Sequence, residues 1–116
     1  MFSDPQSITV NSVAQSMPRV ASTGTASTYR KADGTFSLNI SHKDSKDRIR
    51  SMYRIDQLAV VADPLTAVND YETLSLYVVI DRPLYGFSST QVDQLWSAIK
   101  AALDTTAIGK LYGKES

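Results

Sequence analysis

Between His42 and Arg54 the chain sets five cations, Lys43, Lys46, Arg48, Arg50 and Arg54, against two carboxylates, Asp44 and Asp47. From Arg48 onward the basic residues alternate with Ile49, Ser51, Tyr53 and Ile55. A strand here would carry Arg48, Arg50, Met52 and Arg54 on one face and the other set behind it. A face of Arg, Lys, Asn, Ser, Thr and Tyr can hydrogen-bond phosphates and base edges, and Tyr77 adds a plane on which a base could stack. The solvated side of an ordinary antiparallel sheet has the same composition, so the pattern leaves both readings open. Arg50 and Arg54 could equally pair with Asp56 or Asp81 across strands, a contact worth little on an exposed surface. Other chemistry finds less footing. His42 is the only histidine, and a lone imidazole more often packs or sits on the surface than it catalyses. No Ser/His/Asp arrangement or phosphate-loop motif is readable, and the carboxylates do not fall at a metal-ligand spacing. The residues give an enzyme no positive support, and they indicate neither a metal site nor a cofactor.

The elements that would hold this face follow from turns and periodicity. Asp33-Gly34 between alternating segments predicts a two-residue hairpin turn, since Gly tolerates positive φ. That turn sets Tyr29 opposite Leu38, Lys31 opposite Phe36, Arg30 opposite Ser37 and Thr28 opposite Asn39. Tyr29, Phe36, Leu38 and Ile40 then share an apolar face; Thr28, Arg30, Ser37, Asn39, Ser41 and Lys43 share the polar one. Asp44 to Asp47 reads as the next turn, and a strand runs from about Arg48 to Val61. Asp63-Pro64 through Asn69-Asp70 reads as an exposed loop. In Thr73 to Ile80, Leu74, Leu76, Val78 and Ile80 recur at every second position, a strand with one apolar face. Pro83 and Gly86 end it.

Beyond that corner Val92, Leu95, Trp96, Ile99, Ala102 and Leu103 lie on one helical stripe. Ser88 and Gln91 read as a capping box at its start. Asp104-Thr105-Thr106 suits a second N-cap, with a short helix ending near Gly113. At the other end, Ile8 and Val10 alternate with polar residues ahead of a run holding Met17 and Val20. This predicts an N-terminal hairpin over 6–23, with Pro18 favouring an edge. Two helices, one of them short, would cover a five-stranded apolar face poorly, so a second copy is a physically reasonable cover.

At 116 residues, 42% of them hydrophobic and 21% charged, the chain is the size of one domain with a small core, 1–116. It holds no apolar run of membrane-spanning length, no signal-peptide pattern and no cysteine. Twelve basic and twelve acidic residues balance, which argues against a grip on nucleic acid by bulk charge but leaves room for a local patch.

The order of elements resembles the coat proteins of single-stranded RNA bacteriophages, the levivirus type. Thr35-Phe36-Ser37-Leu38-Asn39-Ile40-Ser41-His42-Lys43 is similar to that family's central strand, and Tyr71 through Pro83 to its last strand. Gly109 to Ser116 is similar to the endings of some members. The resemblance implies an α+β fold: an N-terminal hairpin (6–23), an antiparallel meander (24–83) and two C-terminal helices (88–113), built as an intertwined dimer with one continuous sheet. It implies a capsid protein whose dimers form an icosahedral shell, assembled in the bacterial host cytoplasm and found in the virion. Each subunit's helices would lie over the partner's sheet, with Val92, Leu95, Trp96 and Ile99 at the dimer interface. A hairpin of the genomic RNA would bind the inner sheet face, for packaging and translational repression, at Asn39, Ser41, Lys43, Arg48, Arg50, Arg54, Ser75 and Tyr77. The loop at 63–70 would shape contacts at the symmetry axes, and a minor maturation protein would be a further virion partner. No membrane partner is implied. Met52 and Val79 depart from the pattern by adding apolar side chains to the RNA face. The rival readings are a dimeric RNA-binding regulator outside any capsid and a bare interaction module.

Overall fold

Asn11 and Ser12 both take positive φ, 51° and 66°, and turn the first strand, β1 (Gln6–Val10), back on β2 (Val13–Met17). Two central residues in that region give a hairpin turn whose twist matches the strands, and Asn accepts the conformation more readily than most residues. Val10 faces Val13 across the turn and Gln6 faces Met17 at the open end. The computed structural model describes residues 2–62, Leu65 and 69–116. Beyond the hairpin come β3 (Arg19–Ser22), β4 (Ala26–Arg30), β5 (Phe36–Asp44), β6 (Arg48–Ala62) and β7 (Asn69–Pro83), which form a five-stranded sheet in chain order. The helices are α1 (Ser89–Ala102) and α2 (Thr105–Tyr112). The chain divides into two units, Met1–Arg82 and Pro83–Ser116.

The N-terminal hairpin is shorter than the sequence predicts. It closes at Met17, and Arg19–Ser22 belongs to the edge of the main sheet, paired with β4. Pro18 makes the break: it has no N–H to give to a ladder, while its carbonyl still accepts from Arg30 N–H at 3.0 Å. The β4–β5 register agrees with expectation, Tyr29 facing Leu38, Arg30 facing Ser37 and Thr28 facing Asn39. The turn that sets it differs. Gly34 N–H donates to Lys31 C=O at 2.9 Å, so the turn spans Lys31–Gly34, with Gly34 alone at positive φ (75°). Asp33 stays on the ordinary side of the map because its carboxylate accepts from both Thr35 Oγ1 (2.6 Å) and Thr35 N (3.0 Å). Those two bonds, hydroxyl first, hold the Asp33 carboxyl below the usual carboxylate range. The predicted loop falls on residues 63–68, which apart from Leu65 lie outside the described residues; Asn69 and Asp70, read as loop, open β7.

The core sits between the hairpin and the apolar side of the sheet. Met17, Tyr29, Phe36, Leu38 and Ile40 are buried, and Ile8, Val10, Tyr53 and Ile55 pack against them. The chain's own β1–β2 hairpin thus covers the middle of a face for which the sequence reading sought cover in a second copy. Burying Tyr29 leaves its hydroxyl to satisfy, and Arg19 Nη2 donates to it at 3.1 Å. The Arg19 guanidinium is anchored in turn on Phe2 C=O at 2.6 Å.

In the second unit the capping box at Ser88 forms as predicted. Ser88 Oγ accepts from Gln91 N–H at 3.3 Å, and Gln91 Oε1 accepts from Ser88 N–H at 2.9 Å. Asp104 caps α2 by accepting from Ala107 N–H at 2.9 Å. Replacing Ser88 with alanine removes one of the two reciprocal bonds and is expected to cost about 1 kcal/mol. A thermal melt followed by helical circular dichroism would show it, and an unchanged midpoint would mean the cap contributes nothing in solution. Neither helix has a buried residue.

Candidate nucleic-acid interface

The β5–β6 ladder decides which polar side chains meet. Directly opposed residues of antiparallel strands project from the same face, and the ladder pairs Ser37 with Asp56, Asn39 with Arg54, Ser41 with Met52 and Lys43 with Arg50. This face lies opposite the one that carries Leu38 and Ile40. Strand β7 adds Ser75, whose hydroxyl donates to Asp56 Oδ1 and accepts from Arg54 Nη2 at 3.4 Å. The Arg54 guanidinium carbon lies 5.9 Å from the centre of the Tyr77 ring. Arg48 reaches Asp81, its Nε donating to Oδ1 at 2.8 Å. The eight residues expected on the inner face therefore fall on one side of the first unit, and Met52, also expected there, accompanies them.

Charge on this face is divided in a way spacing does not reveal. Arg48 is paired with Asp81 and Arg54 with Asp56, at 2.8 and 3.0 Å. Among the described residues no carboxylate stands within ion-pairing distance of Lys43 or Arg50. These two cations face each other across the ladder, an arrangement that destabilises a sheet unless something anionic lies over it. Two contributors were absent from the sequence-derived set. Asp56 ties Arg54 to Ser75, and its even position beside Arg54 was the available signal. Arg30 borders an open hollow of about 410 Å³ shared with Ser37, Arg54, Asp56, Leu58 and Thr73. Its signal was the register that already set it opposite Ser37.

His42 projects from the other face, where its Nδ1 lies 2.9 Å from Ser51 Oγ. Among the described residues no group of three or more His, Asp or Glu could hold a metal ion, and no helix is long and apolar enough to cross a membrane. In the second unit Leu95, Trp96 and Ile99 are exposed, Trp96 by 38%, while Val92 is half-buried. Lys100 Nζ lies 5.8 Å from the Trp96 ring centre. On β7, Leu74, Leu76 and Ile80 are exposed as well, Leu76 by 72%.

Residues 3–83, from just before β1 to the end of β7, match the family described as "Phage phiCb5, coat protein". The chain belongs to that coat protein family. No curated protein matches it by sequence. Among solved structures it is similar to the virus-like particle of bacteriophage AVE019, with TM-score 0.80 and 12% identity over 96% of this chain and 94% of that one. The virus-like particle of Beihai levi-like virus 21 gives TM-score 0.73 and 12% identity over 97% and 95%. A third, described as an unassembled virus coat protein dimer and bacteriophage RNA-binding dimer, gives 0.57 and 10% over 97% and 95%. At such identities these likenesses speak to the fold, and they extend it across both helices. The coat protein is thus a structural component of a virion capsid and not an enzyme. Family membership sets aside the readings of a regulator outside any capsid and of a bare interaction module.

Proposed function

We propose that two copies of this coat protein form an intertwined dimer with one continuous sheet, and that dimers close into an icosahedral shell around single-stranded RNA. The polar sheet face turns inward and binds a hairpin of the genome, which marks it for packaging and represses translation of the message that carries it. Val92, Leu95, Trp96 and Ile99 form the helical side of the dimer contact and cover apolar sheet of the partner. Assembly takes place in the bacterial host cytoplasm, with a maturation protein as a minor virion partner. The observation that carries the RNA reading is the uncompensated Lys43–Arg50 pair on a face otherwise rich in Asn, Ser and Tyr. A balanced net charge makes such local cations the means of holding phosphate.

Size-exclusion chromatography of the protein expressed in bacteria, read at 260 and 280 nm, tests this directly. A megadalton peak with nuclease-resistant nucleic acid is the expected result. A dimer-sized peak with nuclease-sensitive RNA would overturn the shell, and RNA-free protein would overturn the RNA reading. The variant Lys43→Gln with Arg50→Gln sharpens the test. Each cation that neutralises a phosphate of a single strand contributes about 0.7 to the slope of log affinity against log salt, so the slope is expected to fall by roughly 1.4. An unchanged slope in a filter-binding titration would remove this pair from the site.

A further inference from the structure

Arg54 shares with Arg48, whose Nε and Nη2 both donate to Asp81, a donor edge engaged inside the protein, and adds to it a place beside the Tyr77 ring. Arg54 Nε donates to Asp56 Oδ1 at 3.0 Å, and its Nη2 donates to Ser75 Oγ at 3.4 Å. Asp56 Oδ1 also accepts from Ser75 Oγ, which closes a ring of three side chains from two strands. The Nε–Nη2 edge is one with which a guanidinium grips a phosphate through two parallel bonds. Here both of its donors are engaged inside the protein, and the charge is offset by a carboxylate only 17% exposed. What remains available is the other amino group and the guanidinium plane beside Tyr77. Planes of this kind, arginine or aromatic, stack on unpaired bases. Among the described residues Lys43 and Arg50, in contrast, have no carboxylate partner.

We propose that Asp56 is a positioning residue that withholds Arg54 from phosphates and presents its plane, together with Tyr77, to an unpaired base of single-stranded RNA. The inference rests on the RNA-binding reading above and divides its face into two parts. Lys43 and Arg50 supply sequence-independent attraction, and the Arg54–Asp56–Ser75 ring supplies preference among bases.

Salt titrations of the whole chain, as dimers released from particles, against poly(A), poly(C) and poly(U) separate the parts. The phosphates of the three probes are the same and their bases differ. Arg50→Gln is expected to lower the salt slope by about 0.7 for every polymer. Arg54→Gln is expected to leave the slope nearly unchanged while weakening the preferred polymer roughly tenfold and levelling the three affinities. Asp56→Asn keeps the size of the side chain and an oxygen for Ser75 but discharges the ring, so the slope should steepen by about 0.7 and the preference shrink. In an Arg54→Gln background Asp56→Asn should then have no effect on the slope, as for two residues acting through one contact.

A slope lost equally in Arg54→Gln and Arg50→Gln would place Arg54 on a phosphate and overturn the proposal. So would an Asp56→Asn effect that persists without Arg54, since that is plain repulsion. Should Asp56→Asn fail to fold, the comparison of Arg54→Gln with Arg50→Gln decides alone. Wild-type protein that binds none of the polymers would overturn the proposal, and protein that also fails to bind an RNA hairpin with unpaired bases would overturn the RNA reading itself. Binding by Lys43 and Arg50 with no base preference would overturn only the role given to Asp56.

Discussion

Trp96→Ala is expected to abolish particle assembly while leaving the five-stranded sheet folded. Trp96 lies 38% exposed on α1 in the single chain, on a stripe with Leu95 and Ile99, which are exposed as well. In the proposed dimer the stripe is covered by the partner's sheet, and truncating a fully buried Trp to Ala costs about 3–5 kcal/mol. Every dimer in a shell would bear that loss twice, enough to move assembly beyond ordinary protein concentrations. The capping box at Ser88 is untouched by the change, so loss of assembly would not reflect a missing helix. Sedimentation velocity would read the loss of large species. Trp96 is also the only tryptophan in the chain, so wild-type fluorescence should shift to the blue as dimers form. Trp96→Phe keeps most of the apolar area and should retain particles. Full-yield particles from Trp96→Ala would remove the helix from the dimer contact.

The largest effect on the fold itself is expected from Leu38→Ala. Leu38 is fully buried in the middle of β5, paired with Tyr29 on one side and Ile55 on the other, in a core that Met17 joins from the hairpin. Removing its three carbons leaves a cavity that two flanking ladders keep from collapsing, and such changes cost about 2–5 kcal/mol. Against a total stability of about 5–15 kcal/mol for a domain, that is a large share. Urea unfolding followed by circular dichroism measures it. Val20→Ala, at a position 54% exposed on the edge strand β3, serves as the control and should stay within about 0.5 kcal/mol of wild type. Equal losses at the two positions would mean that the core is elsewhere. The same core explains why Phe2 matters to the sheet: its ring centre lies 6.4 Å from that of Tyr53, and its carbonyl anchors Arg19.

Much of the architecture was legible because its causes are local. Alternation over Leu74 to Ile80 is a property of neighbouring residues, and so is the reciprocal bonding of Ser88 with Gln91. Asp104 and Gly113 marked the ends of α2 for the same reason. The β4–β5 register was right even though the turn itself was not. A loop of the same length sets the same pairing whether the carbonyl that closes the turn comes from Lys31 or from Ala32, and the Asp33–Thr35 bonds chose Lys31. The sequence pattern carries the end of the N-terminal hairpin six residues too far, to 23 instead of Met17, because Val20 continues an apolar pattern that Pro18 cuts.

What the sequence determined by itself is therefore a set of elements and the two-faced character of each strand, including the even positions that gather Arg48, Arg50 and Arg54 on one side. Tertiary structure alone decided which of those cations keeps its charge free. Arg48 meets Asp81, thirty-three residues away, and Arg54 is tied by Asp56 to Ser75 on the next strand. Lys43 and Arg50 stand opposite each other in the β5–β6 ladder, and among the described residues neither has a carboxylate partner. Tertiary structure also decided that Met17 packs with Tyr29 and Leu38 and that the buried Gln15 accepts from Lys31 Nζ, so that the chain roofs the centre of its own sheet. Periodicity reports only which way a side chain leaves its own strand. The neighbour it meets depends on strand order and on hydrogen-bonded register between distant segments, which no local pattern encodes.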